Sequence, residues 1–297
     1  MSNSVFDNTL DKVLTAHKLH AQTHAKGWVQ NQPNTVSKFY NEDDGTNAVG
    51  ESGKHVRSNH MVQAYDWSKH DFDYVWNSLG LRGPEPDYSA DKKILYIGNS
   101  STIGQGVPVE DSFAHIASTV LGYDYINLSD FYVMTDCIYK ATEICKKYNP
   151  DIIVMNNARF ISGGDFGLAN LTYLFGKNVF KQFKDREQVE QLKLAFKDVL
   201  LEDAQKNLYM LEQTLYSLCS DVKIVWFNNS PTTNRNNNKS GGSELFAHPD
   251  IYKLCSGKIE YYDYKKEVVD LARDNRHPGL QAHRNIANCL IKVLKDV

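Results

Sequence analysis

KILYIGNSSTIGQGV, residues 93–107, is the stretch whose reading decides the fold. Its apolar run, Ile94 to Ile97, ends in Gly98-Asn99-Ser100, and small polar residues follow with Gly104 and Gly106. A run of isoleucine, leucine and tyrosine bounded by glycine reads as a buried strand. The glycines let the backbone turn sharply where a side chain would clash. Ser100 is thus expected at the carboxyl end of a strand, beside the amino end of the next helix. In open α/β sheets that edge is where ligands bind. Taken alone, the same residues also describe a plain strand-to-helix turn with an N-capping serine, and other parts of the chain must separate the two readings.

Outward from this stretch, strands and helices alternate. Asp111 to Leu121 reads as a helix with Phe113, Ile116, Ala117 and Val120 on one face, and Tyr123 to Leu128 as a second strand. Thr135 and Asp136 can cap a helix running to about Tyr148, where Asn149-Pro150 stops it. Ile152 to Met155 is apolar throughout, as a strand covered on both faces would be. Arg186 to Ser217 is long and helical, Val222 to Phe227 is a fourth strand, and Ile259 to Tyr262 a fifth. Leu280 to Leu294 closes the chain as a helix, with Ile286, Leu290 and Leu294 at spacing four. This alternation predicts a parallel sheet with helices on both faces and right-handed crossovers. The polar loop Ser230 to Ser243 is long for a compact domain; such loops are mobile or functional, and a lid over the site is one reading.

Composition bounds the function. The chain has 297 residues, 41% of them hydrophobic and 23% charged, as in an ordinary globular protein. A formal net charge of −3 offers no general attraction to nucleic acid, so no nucleic-acid partner is expected. No apolar run reaches the about 18 residues needed to span a membrane, and MSNSVFDNTLDKVL does not read as a secretory signal. The five cysteines are scattered, odd in number and form no CxxC pair, which reads as reduced thiols in a cytoplasmic protein. Residues 1–90 differ in character from 91–297 and are expected to form an N-terminal arm and lead-in to one domain. Within the arm, Val5 to His24 can form an amphipathic helix with His17, His20 and His24 on one face. No carboxylate or cysteine completes a zinc set there, so a solvated or partner-facing surface is the better reading and no metal is expected. Trp76 to Asp87, WNSLGLRGPEPD, reads as a compact turn. Its one strong cation, Arg82, is expected to tie the turn to a carboxylate or to hold an anionic group.

Near the carboxyl terminus stands Asp274-Asn275-Arg276-His277-Pro278-Gly279. Asp274 and His277 are three apart, close enough for the carboxylate to hold the imidazole. A carboxylate that fixes the tautomer makes histidine an effective base. Pro278 is expected to open the last helix at its first position. His283, inside that helix, reads as structural.

A serine after the first sheet strand together with DxxHP before the last helix resembles the SGNH hydrolases, the GDSL-type esterases and lipases. The resemblance covers about Asp91 to Val297. It implies a three-layer α/β/α sandwich with a flavodoxin-like parallel sheet of about five strands, here carrying an N-terminal extension. It implies Ser100 as nucleophile, His277 as its base and Asp274 as the orienting acid, with no cofactor. NSLGLRGPEPD also looks like the lead-in of bacterial members, several of which act on acylated carbohydrates, so the expected partner is a carbohydrate or similar small-molecule ester.

The chain departs from the family at three places. Asn99 stands where the family has aspartate before the serine. Ser129 takes the position of the glycine whose N–H serves the oxyanion hole, so the Ser100 and Ser129 N–H groups are expected to serve together. The third block, DIIVMNNARFI from Asp151 to Ile161, places Phe160 at the usual oxyanion asparagine. Asn157 is then the expected third donor, with Asn156 able to serve if the strand ends earlier, and Asn156 and Arg159 are expected to touch substrate. The implied activity is hydrolysis or transfer of an acyl ester. The alternative is a binding or structural protein on the same scaffold with weakened or lost catalysis.

Overall fold

In the computed structural model, residues 33–37, 72–129, 134–156, 201–202, 205–206, 208–219, 221–229, 250–274 and 277–297 are described. A short antiparallel ribbon pairs β1 (Val36–Ser37) with β2 (Tyr74–Val75). The main sheet comprises β3 (Lys93–Gly98), β4 (Asp124–Ser129), β5 (Ile152–Asn156), β6 (Lys223–Asn229) and β7 (Lys258–Tyr262). All its neighbours are parallel, in the order β4-β3-β5-β6-β7. Numbered along the chain from β3, this is the 2-1-3-4-5 order of a flavodoxin-like sheet.

The helices are α1 (Ser100–Ile103), α2 (Phe113–Leu121), α3 (Met134–Tyr148), α4 (residues 208–218), α5 (Tyr264–Glu267) and α6 (Leu280–Lys295). Because strand side chains alternate between faces, β3, β4, β5 and β6 each feed two cores. Ile94, Tyr96, Val154, Val225 and Phe227 pack with α2 and α6 through Phe113, Ala117, Ile286 and Leu290. Leu95, Ile97, Ile126, Met155 and Trp226 pack with α3 and α4 through Ala141, Tyr148, Leu211 and Leu215. β5 is buried along its whole length, as its unbroken apolar sequence requires.

The lead-in packs tightly against this domain. Asn77 organises the turn, its Oδ1 accepting the N–H groups of Leu79 and Leu81 and its Nδ2 donating to the Pro84 carbonyl. Arg82 is gripped by backbone carbonyls. It is 1% exposed and donates to the carbonyls of Ile103, Gly104 and Val107. A guanidinium offers five donors in a planar fork, and here three converging carbonyls accept from it.

Two helix starts also differ from expectation. α3 is already helical at Met134, so Thr135 and Asp136 lie in its first turn rather than at its cap. α6 begins at Leu280 with Gly279 as N-cap, and Pro278 precedes the helix, bridged to Leu271. The free N–H groups of the first turn are satisfied from elsewhere: Asp270 accepts from Gln281 (3.0 Å) and Ala282 (2.8 Å). That carboxylate sits so close that a Cβ at position 279 would lie 2.5 Å from it, which explains the glycine. Among the described residues, no helix is long and apolar enough to cross a membrane. The expected helix bearing His17, His20 and His24, the start of the Arg186 helix and the Ser230–Ser243 loop lie outside the described residues.

Candidate active site

Three neighbouring strands end together. Gly98 of β3 is in register with Ser129 of β4 on one side and Asn156 of β5 on the other. Counting alternate residues back from these ends leads to Tyr96, Tyr125 and Val154, all in the core shared with α2 and α6. Gly98, Asn127, Ser129 and Asn156 therefore share that face of the sheet. Gly98 is constrained to be small: a Cβ there would lie 2.1 Å from Thr102 Oγ1 and 2.8 Å from the Asn156 carbonyl. α1 can fold back onto the strand end only because nothing projects at that position. Asn99, not a serine, caps α1, its Oδ1 accepting the Ser101 N–H at 2.9 Å, so Ser100 is the first helical residue.

The loop before α6 brings its side chains to the same edge. Ser100 Oγ lies 2.7 Å from His277 Nε2, across 177 positions of sequence. His277 Nδ1 contacts Asp274 Oδ2, and Asp274 Oδ1 accepts the His277 backbone N–H at 2.9 Å. Asp274 is fully buried, Ser100 is 9% exposed and the His277 side chain 12% exposed. An ionised carboxylate can only accept. With Asp274 ionised, the Nδ1–H tautomer is the one it can hold, which leaves a lone pair on Nε2 facing the Ser100 hydroxyl. Such an arrangement can carry the hydroxyl proton to the imidazole while the carboxylate stabilises the resulting charge. The loop itself is tied at its base, where Ala272 N–H donates to the His277 carbonyl and Gly279 N–H to the Asp270 carbonyl.

Around the hydroxyl, Ser129 is buried and its Oγ donates to Asn127 Oδ1, which turns the hydroxyl into the sheet edge. Asn127 Nδ2 in turn donates to the Thr102 carbonyl at 2.8 Å, fastening α1 to the end of β4. Asn156 is 5% exposed, and its Nδ2 has no hydrogen-bond partner among the described residues. β5 does run to Asn156, and Asn157 and Arg159 lie outside the described residues. His283 is fully buried in α6, stacked on Phe113 and accepting the Phe113 N–H on Nδ1 at 3.1 Å. Burial, helped by the charges of Arg82 and His277, lowers its pKa to about 3. Sequence reasoning missed Asn127, Tyr74 and Arg273 as neighbours of this site, because each acts through a contact distant in sequence and leaves no local signature. Among the described residues, no cluster of His, Cys, Asp and Glu is arranged to hold a metal ion.

No protein-family model matches the sequence, and no curated protein does so either. Solved structures are similar at low identity. A carbohydrate esterase family 2 enzyme with a carbohydrate binding domain, from Corynascus thermopiles (Myceliophthora fergusii), aligns at 13% identity and TM-score 0.43, covering 72% of this chain and 68% of that one. The lipase Lip_vut3 from a goat rumen metagenome aligns at 16% identity and TM-score 0.41, over 67% and 95% respectively. A carbohydrate acetylesterase family member from Sinorhizobium meliloti aligns at 12% identity and TM-score 0.41, over 69% and 98%. Within the chain itself, the 2-1-3-4-5 sheet carries a serine directly after its first strand and an Asp–His pair directly before its last helix. Its fold is a flavodoxin-like α/β fold. On this sheet, β3 has β4 on one side and β5 on the other, so the strand order reverses there. Ligand crevices in open α/β sheets form outside the strand ends at such a reversal, and Ser100 stands at that point.

Proposed function

We propose that the chain is a serine hydrolase of acyl esters. The observation that carries this reading is the 2.7 Å contact of Ser100 Oγ with a His277 ring whose other nitrogen is held by buried Asp274. Ser100 Oγ attacks the ester carbonyl as its proton passes to His277 Nε2, and Asp274 stabilises the imidazolium. The oxygen that gains negative charge is held by the N–H groups of Ser100 and Ser129 and by Asn156 Nδ2, a buried amide donor that lacks a partner among the described residues. Collapse of this intermediate breaks the bond to the alcohol, which leaves with the proton from His277. Water then attacks the acyl-serine, giving its proton to His277. Release of the acid returns that proton to Ser100. A sugar hydroxyl in place of water would make the same intermediate an acyl transferase.

Small acyl groups on carbohydrates are the substrate class to examine first, following the resemblance of residues 77–87 to the lead-in of bacterial carbohydrate-acting members. The test is a fluorophosphonate probe, which reacts with an activated serine. Wild type is expected to label at Ser100, and Ser100→Ala is expected not to label. Absence of wild-type labelling, where a known serine esterase labels, would overturn the reading in favour of a binding role for the scaffold. Acetyl, butyryl and longer p-nitrophenyl esters, beside acetylated sugars, then define the acyl group.

A further inference from the structure

We propose that Tyr74, Arg82 and Arg273 form a clamp through which the lead-in segment holds the Ser100 loop and the Asp274 loop in register. They are positioning residues, and none touches the reacting atoms. Arg82 grips the turn immediately after α1, donating to the carbonyls of Ile103 (3.1 Å), Gly104 and Val107. Arg273, directly before Asp274, donates from Nη1 to the Phe72 carbonyl at 2.9 Å. Its backbone N–H donates to the Gly106 carbonyl at 2.8 Å. The Gly106 N–H, in turn, donates to Tyr74 Oη at 2.7 Å. Gly106 is thus the point where the serine loop, the acid loop and the lead-in are joined.

The side chains reinforce that junction. The Arg82 guanidinium lies 4.1 Å from the Tyr74 ring centroid and that of Arg273 3.8 Å from Phe72. The two rings are 5.5 Å apart, so two cations share one aromatic pair. Such contacts strengthen when removed from water, and both arginines are buried. The loops also meet without slack. Gly106 has φ 83°, and a Cβ there would lie 2.7 Å from Ala272 Cβ and 3.4 Å from Asp274 Cγ. The hydrogen bonds of the clamp end within seven residues of Ser100 or at the residue before Asp274. Displacing a reacting group by about 1 Å can cost a hundredfold in rate, so a clamp placed here controls turnover.

The catalytic consequence rests on the hydrolase reading, whereas the coupling itself can be measured without substrate. Tyr74→Phe removes one oxygen, and Arg273→Lys keeps the charge but loses the planar fork. Amide hydrogen exchange is followed at Arg273 and at His277, whose N–H reports the contact with Asp274. Val154 in the centre of the sheet serves as reference. In both variants, exchange at His277 and Arg273 is expected to quicken about tenfold or more relative to Val154. In parallel, kcat on p-nitrophenyl acetate is expected to fall about tenfold, with KM within about twofold. Unchanged relative exchange in both variants would overturn the clamp, and quickened exchange with unchanged kcat would overturn its positioning role. Absence of turnover by wild type would count against the hydrolase reading instead, and the exchange ratio would still decide the coupling.

Discussion

Asn156 Nδ2 is a buried donor without a partner among the described residues. Leaving such a group unsatisfied costs a fold about 1–3 kcal/mol. At the end of β5, beside the Gly98–Ser100 turn, the amide is free to meet an oxygen that becomes charged only during reaction. Asn156→Ala should therefore separate activity from stability. We expect kcat to fall about a hundredfold or more, while the urea midpoint stays equal or rises because the orphaned amide is gone. A kcat within about threefold of wild type would remove Asn156 from the oxyanion site. The sequence pointed to Asn157, with Asn156 as the alternative, because one residue of strand length decides which asparagine stands at the edge. Asp274 and His277 were legible for the opposite reason: their pairing is local, three residues apart in one loop. The carbonyl contacts of Arg82 were not legible, since no sequence pattern announces three backbone carbonyls as partners of a cation.

Elements show the same division between local and distant causes. The five sheet strands lie within a residue or two of their expected limits, since apolar runs bounded by polar or turn residues are a local signal. The start of α6 was less legible, because the carboxylate that satisfies its first turn, Asp270, lies ten residues before the first helical residue. The packing of α6 on α2 depends on His283, whose Nδ1 accepts the first N–H of α2. This gives the interface a pH response. The unfolded chain binds a proton at His283 near 6.5, but the folded chain only near 3, because burial disfavours the charged form. The folded value is depressed, so this contribution to stability is complete above about pH 6.5 and is lost as pH falls toward 3. The loss is about 1.4 kcal/mol per pH unit, or about 2 kcal/mol between pH 6.5 and 5. His283→Asn keeps an acceptor near Phe113 without the titration. Urea denaturation at pH 7 and pH 5 should show the variant losing about 2 kcal/mol less than wild type. Equal losses would remove His283 as the source.

For the whole molecule, the alternation of strands and helices announced a parallel sheet, but the order of the strands came only with the family resemblance. A strand's hydrophobicity says that it is central, not which neighbour it has. The resulting order places β3 and β5 side by side in the middle, each contributing to the cores on both faces. The site draws on the same arrangement, because Ser100 leaves the end of β3 while His277 arrives from the loop before α6. The two cores are consequently expected to unfold as one unit. Ile94 and Leu95 are adjacent on β3, fully buried, and face opposite cores. Ile94→Ala and Leu95→Ala should each lower stability by about 2–5 kcal/mol, the range for removing a large aliphatic side chain from a packed interior. In urea, each variant should show a single transition, with tryptophan fluorescence and far-ultraviolet circular dichroism coincident. Trp226 lies in the core that contains Leu95 and not in the one that contains Ile94. If the layers were independent, Ile94→Ala in a background with Trp28, Trp67 and Trp76 replaced by Phe would leave the Trp226 fluorescence transition in place while shifting the dichroism, and the shared strand would not be what joins them.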